Sequence, residues 1–153
     1  MPLRIGLISD THGLLREQAC DVLRGSDMIV HAGDVGQADI LDRLGEVAPV
    51  VAVRGNIDTE EWAARLPRTE VLEAKGATLY ILHNLSELAI DPAVAGFQIV
   101  ISGHTHKPNR FEKAGVLYIN PGSAGPRRFS LPILVARLRL GERPWEVEFL
   151  SCG

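Results

Sequence analysis

The chain has 153 residues, of which 46% are hydrophobic and 23% are charged. A chain of this length can form one domain with its own core, and the composition excludes disordered and fibrous classes of protein. The formal net charge of −3 argues against a protein whose main partner is nucleic acid or an anionic membrane. We therefore expect one domain over residues 1–153, for which nucleic-acid and membrane partners are disfavoured.

The two cysteines, Cys20 and Cys152, are far apart in the sequence. This pattern favours reduced thiols over a disulfide framework. The first apolar run is interrupted by Arg4 and is too short for a signal peptide, and no stretch reaches the roughly 18 apolar residues of a membrane span. We therefore expect a cytoplasmic protein, and the sequence leaves open whether it forms a homo-oligomer.

The first third of the chain alternates strands with helices. Short apolar runs predict strands at residues 4–9, 28–31 and 49–53. Apolar residues at helical spacing predict one helix that begins near Leu15 and stops before Gly25, and a second that stops before Gly45. This order predicts parallel pairing of the strands.

The rest of the chain is dominated by strands. Residues 70–74 and 78–82 flank Lys75-Gly76 and predict a hairpin, and a short helix is expected between Asp91 and Gly96. Further strands are predicted at residues 98–102, 110–114, 116–119, 134–140 and 145–149, with Trp145 and Phe149 on one face of the last. The sequence therefore predicts an α/β fold in which two sheets pack together with helices outside.

Residues of the types that bind metals follow five of the predicted strands: Asp10 and His12, Asp34, Asn56, His83, and His104 with His106. Ligands of open α/β sheets collect at the carboxyl ends of the strands. Carboxylate, imidazole and amide donors together suit Mn²⁺, Fe, Zn²⁺ or Ni²⁺ better than Ca²⁺. The sequence therefore predicts a metal site at this edge.

Each of these motifs has an ordinary interpretation when taken alone. An Asp-x-His is usually part of a polar loop, and an Asn after Gly is usually a turn residue. Their succession after five strands is what favours a metal site. His31 lies inside its strand, so we expect it to support the site rather than bind a metal directly.

Together these motifs resemble the signature of the calcineurin-like metallophosphoesterases: Asp10-x-His12, Gly33-Asp34, Gly55-Asn56, His83 and Gly103-His104-Thr105-His106. The short length and two further segments resemble the small YfcE-type phosphodiesterases of that family: Gly55-Asn56-Ile57-Asp58 and Asn120-Pro121-Gly122-Ser123. The resemblance covers residues 3 to about 128. It implies a four-layer α/β sandwich with two mixed sheets, and a site for two divalent metal ions.

The resemblance also implies how the ligands divide. One ion would be bound by Asp10, His12, Asp34 and His106, and the other by Asp34 as a bridge with Asn56, His83 and His104. The ions, with Mn²⁺ the best match, would activate a water for attack on phosphorus, so that Asp34, Asn56 and His83 act through this water. No protein nucleophile would be needed.

The implied activity is hydrolysis of a small phosphorylated substrate, most simply a phosphodiester. The alternative is a non-catalytic metal-binding scaffold, as in the retromer subunit that shares this fold. A scaffold is free to lose metal ligands, whereas this chain keeps all the expected ones.

Two positions depart from the pattern of the larger relatives. Ile57 stands where many of them have a His that protonates the leaving group, so that role is left without a side chain. Asn84 follows His83 where Gly is common, and because Asn tolerates left-handed backbone almost as Gly does, we expect His83 to remain a ligand.

Four further residues are secondary candidates near the site. We expect Asp58 either to orient a ligand or to cap a short helix near Glu60, with capping favoured. Ser123 belongs to a turn expected beside the site. Arg127 and Arg128 are candidates for contact with a substrate phosphate, although paired loop arginines are more often solvated.

Overall fold

The computed structural model describes all 153 residues. The strands form where the short apolar runs predict them. In chain order they are β1 (Leu3–Ile8), β2 (Met28–His31), β3 (Val50–Ala52), β4 (Thr69–Ala74), β5 (Ala77–Leu82), β6 (Ile99–Ile101), β7 (Asn109–Lys113), β8 (Val116–Asn120), β9 (Leu134–Leu140) and β10 (Glu146–Ser151). The helices are α1 (Glu17–Leu23), α2 (Ala38–Gly45) and α3 (Pro92–Ala95), and two 3₁₀ turns span Glu61–Arg65 and Leu85–Glu87.

The strands make two mixed sheets of five strands each. The first has the order β10-β9-β1-β2-β3, and β1, β2 and β3 are parallel, as the alternation of strands and helices predicts. The second has the order β4-β5-β6-β8-β7, with β5, β6 and β8 parallel and an antiparallel strand on each side. In both sheets, parallel strands therefore end at the edge where the loops with the predicted ligands begin.

Three apolar clusters hold the layers together. The largest lies between the sheets and contains Ile5 and Leu7 from β1 with Leu79 and Ile101 from the second sheet. Another joins the first sheet to α1 and α2, and a small one lies on the outer face of the second sheet beneath Leu85. These layers confirm the four-layer α/β sandwich. No helix is long and apolar enough to cross a membrane.

The predicted start of the first helix is wrong. Leu15 is buried in the core, and the next residue, Arg16, is extended, with φ −75° and ψ 144°. The Arg16 guanidinium donates to the carbonyls of Ala124 and Gly125 at 3.0 and 2.7 Å, and this long-range anchor keeps the segment out of the helix.

One smaller expectation also fails, at the end of α2. Gly45 is the last residue of α2 rather than the residue beyond it. In β10, Phe149 is 36% exposed, while its neighbour Leu150 packs against the cluster beneath α1 and α2. The alternation in the sequence identifies the strand, but the neighbouring layers decide which side chains are covered.

The cluster between the sheets should dominate stability. We expect Leu79→Ala, at a fully buried position, to lower the free energy of unfolding by about 2–5 kcal/mol, because it removes apolar contacts and leaves a cavity. Urea unfolding measures this change. The control is Val71→Ala on the neighbouring strand, which is 50% exposed and should cost less than about 1 kcal/mol. Equal losses in both variants would contradict the assignment of the main core.

Candidate metal centre

The loops after β1 and β2 form the base of the site by bonding to each other along their backbones. Asp10 N donates to Gly33 O at 3.0 Å, and His12 N donates to Asp34 O at 2.9 Å. The loop after β6 bonds to the residue after β5 through Gly103 N, which donates to His83 O at 2.9 Å, and to the loop after β1 through His104 N, which donates to Asp10 Oδ2 at 3.0 Å. The residues predicted from separate strand ends therefore lie at one edge of the two sheets.

Asp10 is completely buried and has one oxygen held by the protein and one left free. Its Oδ2 accepts from Ser9 Oγ at 2.7 Å and from His104 N at 3.0 Å. Its Oδ1 has no hydrogen-bond partner and lies 3.5 Å from both His12 Nε2 and His106 Nε2, and 3.8 Å from His83 Nε2.

Asp34 has a similar division of its oxygens. Oδ1 accepts from Ile57 N at 3.0 Å, which fixes the carboxylate plane. Oδ2 lies 3.3 Å from His12 Nε2 and 3.2 Å from His83 Nε2. Asp34 therefore lies between the two histidines that the resemblance assigns to different metal ions.

The ring of His83 is oriented by the backbone. Its Nδ1 donates to Ala32 O at 2.8 Å, which leaves the buried Nε2 without a hydrogen-bond partner. An imidazole held in this way presents its lone pair to a metal. His104 lies against it, with 5.2 Å between the ring centroids, and the rings of His12 and His106 are 5.1 Å apart.

These donors fit divalent cations. Three buried atoms that face the centre, Asp10 Oδ1, His12 Nε2 and His83 Nε2, have no hydrogen-bond partner. Such atoms are costly to bury unless something binds them. Two groups have ligand atoms close enough for one ion, Asp10 with His12 and His106, and Asp10 with Asp34 and His83.

The charges of these groups are strongly coupled. Burial acts to raise the pKa of Asp10 and of Asp34, but the neighbouring His12 and His83 outweigh it and hold both pKa values below their usual range. Asp10 and Asp34 in turn raise the pKa of His12 to about 9. A divalent cation bound by His12 would have to displace this proton, so metal affinity would fall as the pH drops below that value.

Five of the candidate ligands have left-handed backbone, with φ between 47° and 73°: Asp10, His12, Asp34, His104 and His106. Non-glycine residues rarely adopt this conformation, and when they do it often marks a functional site. The loop that carries Asn56 lies so close to Asp34 that a Cβ at Gly55 would overlap Asp34 Oδ1 and Asp34 N. Glycine is therefore required there for contact between the two loops.

Asn56 is exposed, and its side chain lines the same groove as His83. His104 is partly buried, while His106 is buried. All seven predicted ligands therefore lie on loops at the same edge of the sheets.

His31 supports the centre rather than facing it, as predicted. Its Nδ1 accepts from Gly33 N at 3.1 Å, and its Nε2 donates to Thr11 Oγ1 at 3.0 Å. Burial lowers the pKa of His31 to about 4, which keeps the ring neutral at pH 7. The neutral ring joins the Thr11 and Gly33 segments of the two ligand loops.

The favoured role of Asp58, capping, is wrong, and its contacts agree with the alternative of orienting ligands. Asp58 does not cap the 3₁₀ turn that begins at Glu61. Its carboxylate instead accepts from Val35 N, Gly36 N and Gly55 N at 3.1, 3.0 and 2.9 Å. A single buried side chain therefore fixes the loops of Asp34 and Asn56 against each other.

The other secondary candidates differ in their distance from the centre. Ser123 is buried, and its hydroxyl donates to Asp10 O at 3.1 Å, so it supports the first loop. Arg127 is exposed and donates to Leu131 O at 3.3 Å. Arg128 is exposed, and its charge adds to burial in lowering the pKa of His106.

Asn84 does not use the left-handed backbone that Asn tolerates. Its φ of −112° and ψ of 110° are extended, and its Oδ1 accepts from Ser86 N at 3.1 Å to cap the following 3₁₀ turn. His83 therefore needs no left-handed neighbour. Ile57 is 43% exposed, and its backbone N–H, rather than its side chain, serves the site by donating to Asp34.

Comparison with known proteins identifies the family. Residues 3–143 match the model of the calcineurin-like phosphoesterase superfamily domain. The chain belongs to this superfamily. It is 31% identical to a probable metallophosphoesterase of Methanothermobacter thermautotrophicus, over 97% of this chain and 92% of that protein. It is 30% identical to the phosphodiesterase YfcE of Escherichia coli, over 79% of each chain.

The same fold occurs in proteins with other names. The structure of vacuolar protein sorting 29 from Cryptosporidium parvum superposes with a TM-score of 0.78 at 19% identity, covering 98% of both chains. This likeness concerns the fold alone. The family membership and the metallophosphoesterase names of the relatives support a metal-dependent hydrolase, and the cluster around Asp10 and Asp34 supplies candidate ligands.

Asp58 provides a test of how the loops are held. We expect Asp58→Asn to lower the free energy of unfolding by about 1–3 kcal/mol. The substitution replaces one carboxylate oxygen with an amide nitrogen, and this nitrogen cannot accept a hydrogen bond from a backbone N–H group. Divalent-metal affinity should fall roughly 10–100-fold. Urea unfolding and calorimetric Mn²⁺ titration measure these changes. The matched variant Asp42→Asn, at an exposed carboxylate, should change neither, and equal effects in both would contradict the role of Asp58.

Proposed function

We propose that this chain hydrolyses phosphodiesters with the help of two divalent metal ions. In the reaction water adds to phosphorus, the bond to one ester oxygen breaks, and a phosphomonoester and an alcohol or phenol are released. The observation that supports this most directly is the convergence of unpartnered buried atoms of Asp10, His12 and His83. The proposed ligands are the seven at the edge of the sheets: Asp10, His12, Asp34, Asn56, His83, His104 and His106.

Asp34 is the proposed bridge between the two ions. Its Oδ2 lies within 3.3 Å of a histidine from each proposed ligand set. Asp10 also lies near histidines of both sets, but its unpartnered oxygen is 3.5 Å or more from each of them. The shorter distances support Asp34, and Asp10 then adds negative charge that balances two neighbouring cations.

Divalent cations bound here would supply an activated water and neutralise charge that develops on the phosphoryl oxygens. The chain itself orients the donors: Ala32 O fixes the ring of His83, and Ile57 N fixes the carboxylate of Asp34. Ser9 and Ser123 each donate their hydroxyl to Asp10, so neither is placed as a nucleophile. The chain's part in the reaction is therefore to bind and to orient.

The donors also bear on the choice of metal and on the setting of the protein. Nitrogen and oxygen donors without thiolate suit Mn²⁺, with Zn²⁺, Fe and Ni²⁺ as further candidates. Cys20 and Cys152 are free thiols, which supports the proposed cytoplasmic location. A small phosphorylated compound is the proposed substrate.

A non-catalytic scaffold is the competing proposal, because vacuolar protein sorting 29 has the same fold. Turnover separates the two proposals. Purified protein loaded with Mn²⁺ should hydrolyse bis(4-nitrophenyl) phosphate if the first proposal is correct.

Asp34→Asn tests the bridge. We expect it to lower both the metal content per chain and the turnover more than a change at any other single ligand, because one substitution affects both ions. Metal analysis and hydrolysis of bis(4-nitrophenyl) phosphate should be measured on the same samples. Asp42→Asn, which removes an exposed carboxylate, is the charge-matched control. Near-normal loading of both ions in Asp34→Asn would refute the bridge.

Ile57 tests how the leaving group departs. The side chain is 43% exposed and cannot donate a proton, so the rate should depend steeply on the pKa of the leaving group. Ile57→His should raise kcat/KM for alkyl esters more than for aryl esters. The gain should be smaller than the roughly 10²–10⁴-fold of a fully oriented general acid, because the new ring has no orienting partner.

The measurement is kcat/KM over a series of leaving groups, with Ile57→Asn as a polar control that is not an acid. The exposure of Ile57 makes a large loss of stability unexpected, and thermal melting checks this. If the wild-type protein shows no dependence on leaving-group pKa, another group already donates the proton.

A further inference from the structure

A groove of about 610 Å³ adjoins the candidate metal centre. Its lining includes Asn56 and His83 from the centre, and also Arg54 and Arg68. Arg54 follows β3, and Arg68 precedes β4, so the groove runs past the edges of both sheets. Neither arginine has a role in the reaction described above.

The backbone holds the two arginines near each other. Arg54 N donates to Pro67 O at 2.7 Å, which places the residue before Arg68 against the segment that carries Arg54. Arg54 is partly buried, and Arg68 is exposed. Two arginines fourteen positions apart in the sequence thus line one groove.

Neither guanidinium has a counter-ion in the protein. The arginine–carboxylate pairs of the structure are Arg24–Asp21 and Arg139–Glu146. The Nε of Arg54 is buried and has no hydrogen-bond partner. Burying part of an unpaired charge costs free energy, and an anion in the groove would offset part of that cost.

The two acidic residues of the groove, Asp58 and Glu87, balance this charge in number but pair with neither arginine. Both oxygens of Asp58 are turned to backbone N–H groups. Glu87 is exposed and has no arginine or lysine within 4.0 Å. The groove therefore presents two arginines without ion-pair partners, next to the centre where the phosphodiester is proposed to react.

We propose that Arg54 and Arg68 bind a second phosphate group of the substrate. This inference rests on the proposed function and adds a substrate class to it: phosphodiesters that carry a further phosphate on one ester arm. The planar fork of N–H donors in arginine matches phosphate oxygens and can bind them in pairs. The groove would then determine specificity, while the metal centre acts on the diester.

A pair of probes that differ by one phosphate tests the substrate class. Thymidine 5′-(4-nitrophenyl phosphate), with and without a 3′-phosphate, has the same diester and the same leaving group. We expect kcat/KM to favour the 3′-phosphorylated probe by roughly tenfold to a hundredfold in the wild-type protein. The double variant Arg54→Gln with Arg68→Gln should lose this preference.

Arg65→Gln is the control, because Arg65 is exposed but lies outside the groove lining. It should retain the preference. Equal losses for the two probes in the double variant would overturn the proposal, because the arginines would then contact the reacting phosphoryl group. If the double variant does not fold, Arg68→Gln, at an exposed position, gives the same test with a smaller expected loss.

A second measurement requires neither metal nor turnover. Inorganic phosphate is titrated into the EDTA-treated protein while the side-chain Nε–H signals of arginine are followed by NMR. We expect the signals of Arg54 and Arg68 to shift until the site is saturated with phosphate, and the signal of Arg65 to stay unchanged. No shift, or an equal shift at Arg65, would overturn the phosphate site. Phosphate binding without turnover of either probe would instead overturn the proposed function and support the site.

Discussion

The structure depends on two buried carboxylates, Asp10 and Asp34, that face a group of imidazole rings at one edge of the sheets. Each carboxylate has one oxygen bound by the protein, through Ser9 and His104 N in one case and Ile57 N in the other. The remaining oxygens point at the histidines, and Asp10 Oδ1 has no hydrogen-bond partner at all. Charge buried in this way is stable only with compensation, and protons or cations can provide it.

The loops around these carboxylates are held by residues that are not themselves proposed ligands. Asp58 fixes three backbone N–H groups, and His31 joins two loops as a neutral ring. The left-handed residues of the site are strained, at a cost of about 1–3 kcal/mol each, and the surrounding structure must offset it. The large apolar cluster between the sheets and the one beneath α1 and α2 supply the stability that makes this possible.

Much of this arrangement could be predicted from the sequence because its signals are local. Apolar runs identify the strands, and the ligands follow at once, so the position of Asp34 needs only the parallel order of β1 and β2. The predicted short helix after Asp91 also forms, with Pro92 at its start and Gly96 in left-handed conformation after its end. These features depend on residues within a few positions of each other.

The remaining features depend on which segments approach one another, and no local pattern reports that. Leu15 stays out of α1 because the neighbouring Arg16 reaches carbonyls more than a hundred residues away. Asp58 resembles a helix cap until the close approach of the loops gives it other donors. Arg54 is unremarkable in the sequence, and only the bond from its backbone to Pro67 brings it beside a second arginine.

The central claim is that the buried donors at this edge bind two divalent cations. The most direct measurement is anomalous diffraction at the manganese edge from crystals grown with Mn²⁺. We expect two peaks, one beside Asp10, His12 and His106 and one beside His83 and Asn56, with Asp34 in contact with both. Peaks elsewhere on the surface, or no peak at these residues in crystals that contain Mn²⁺, would contradict it.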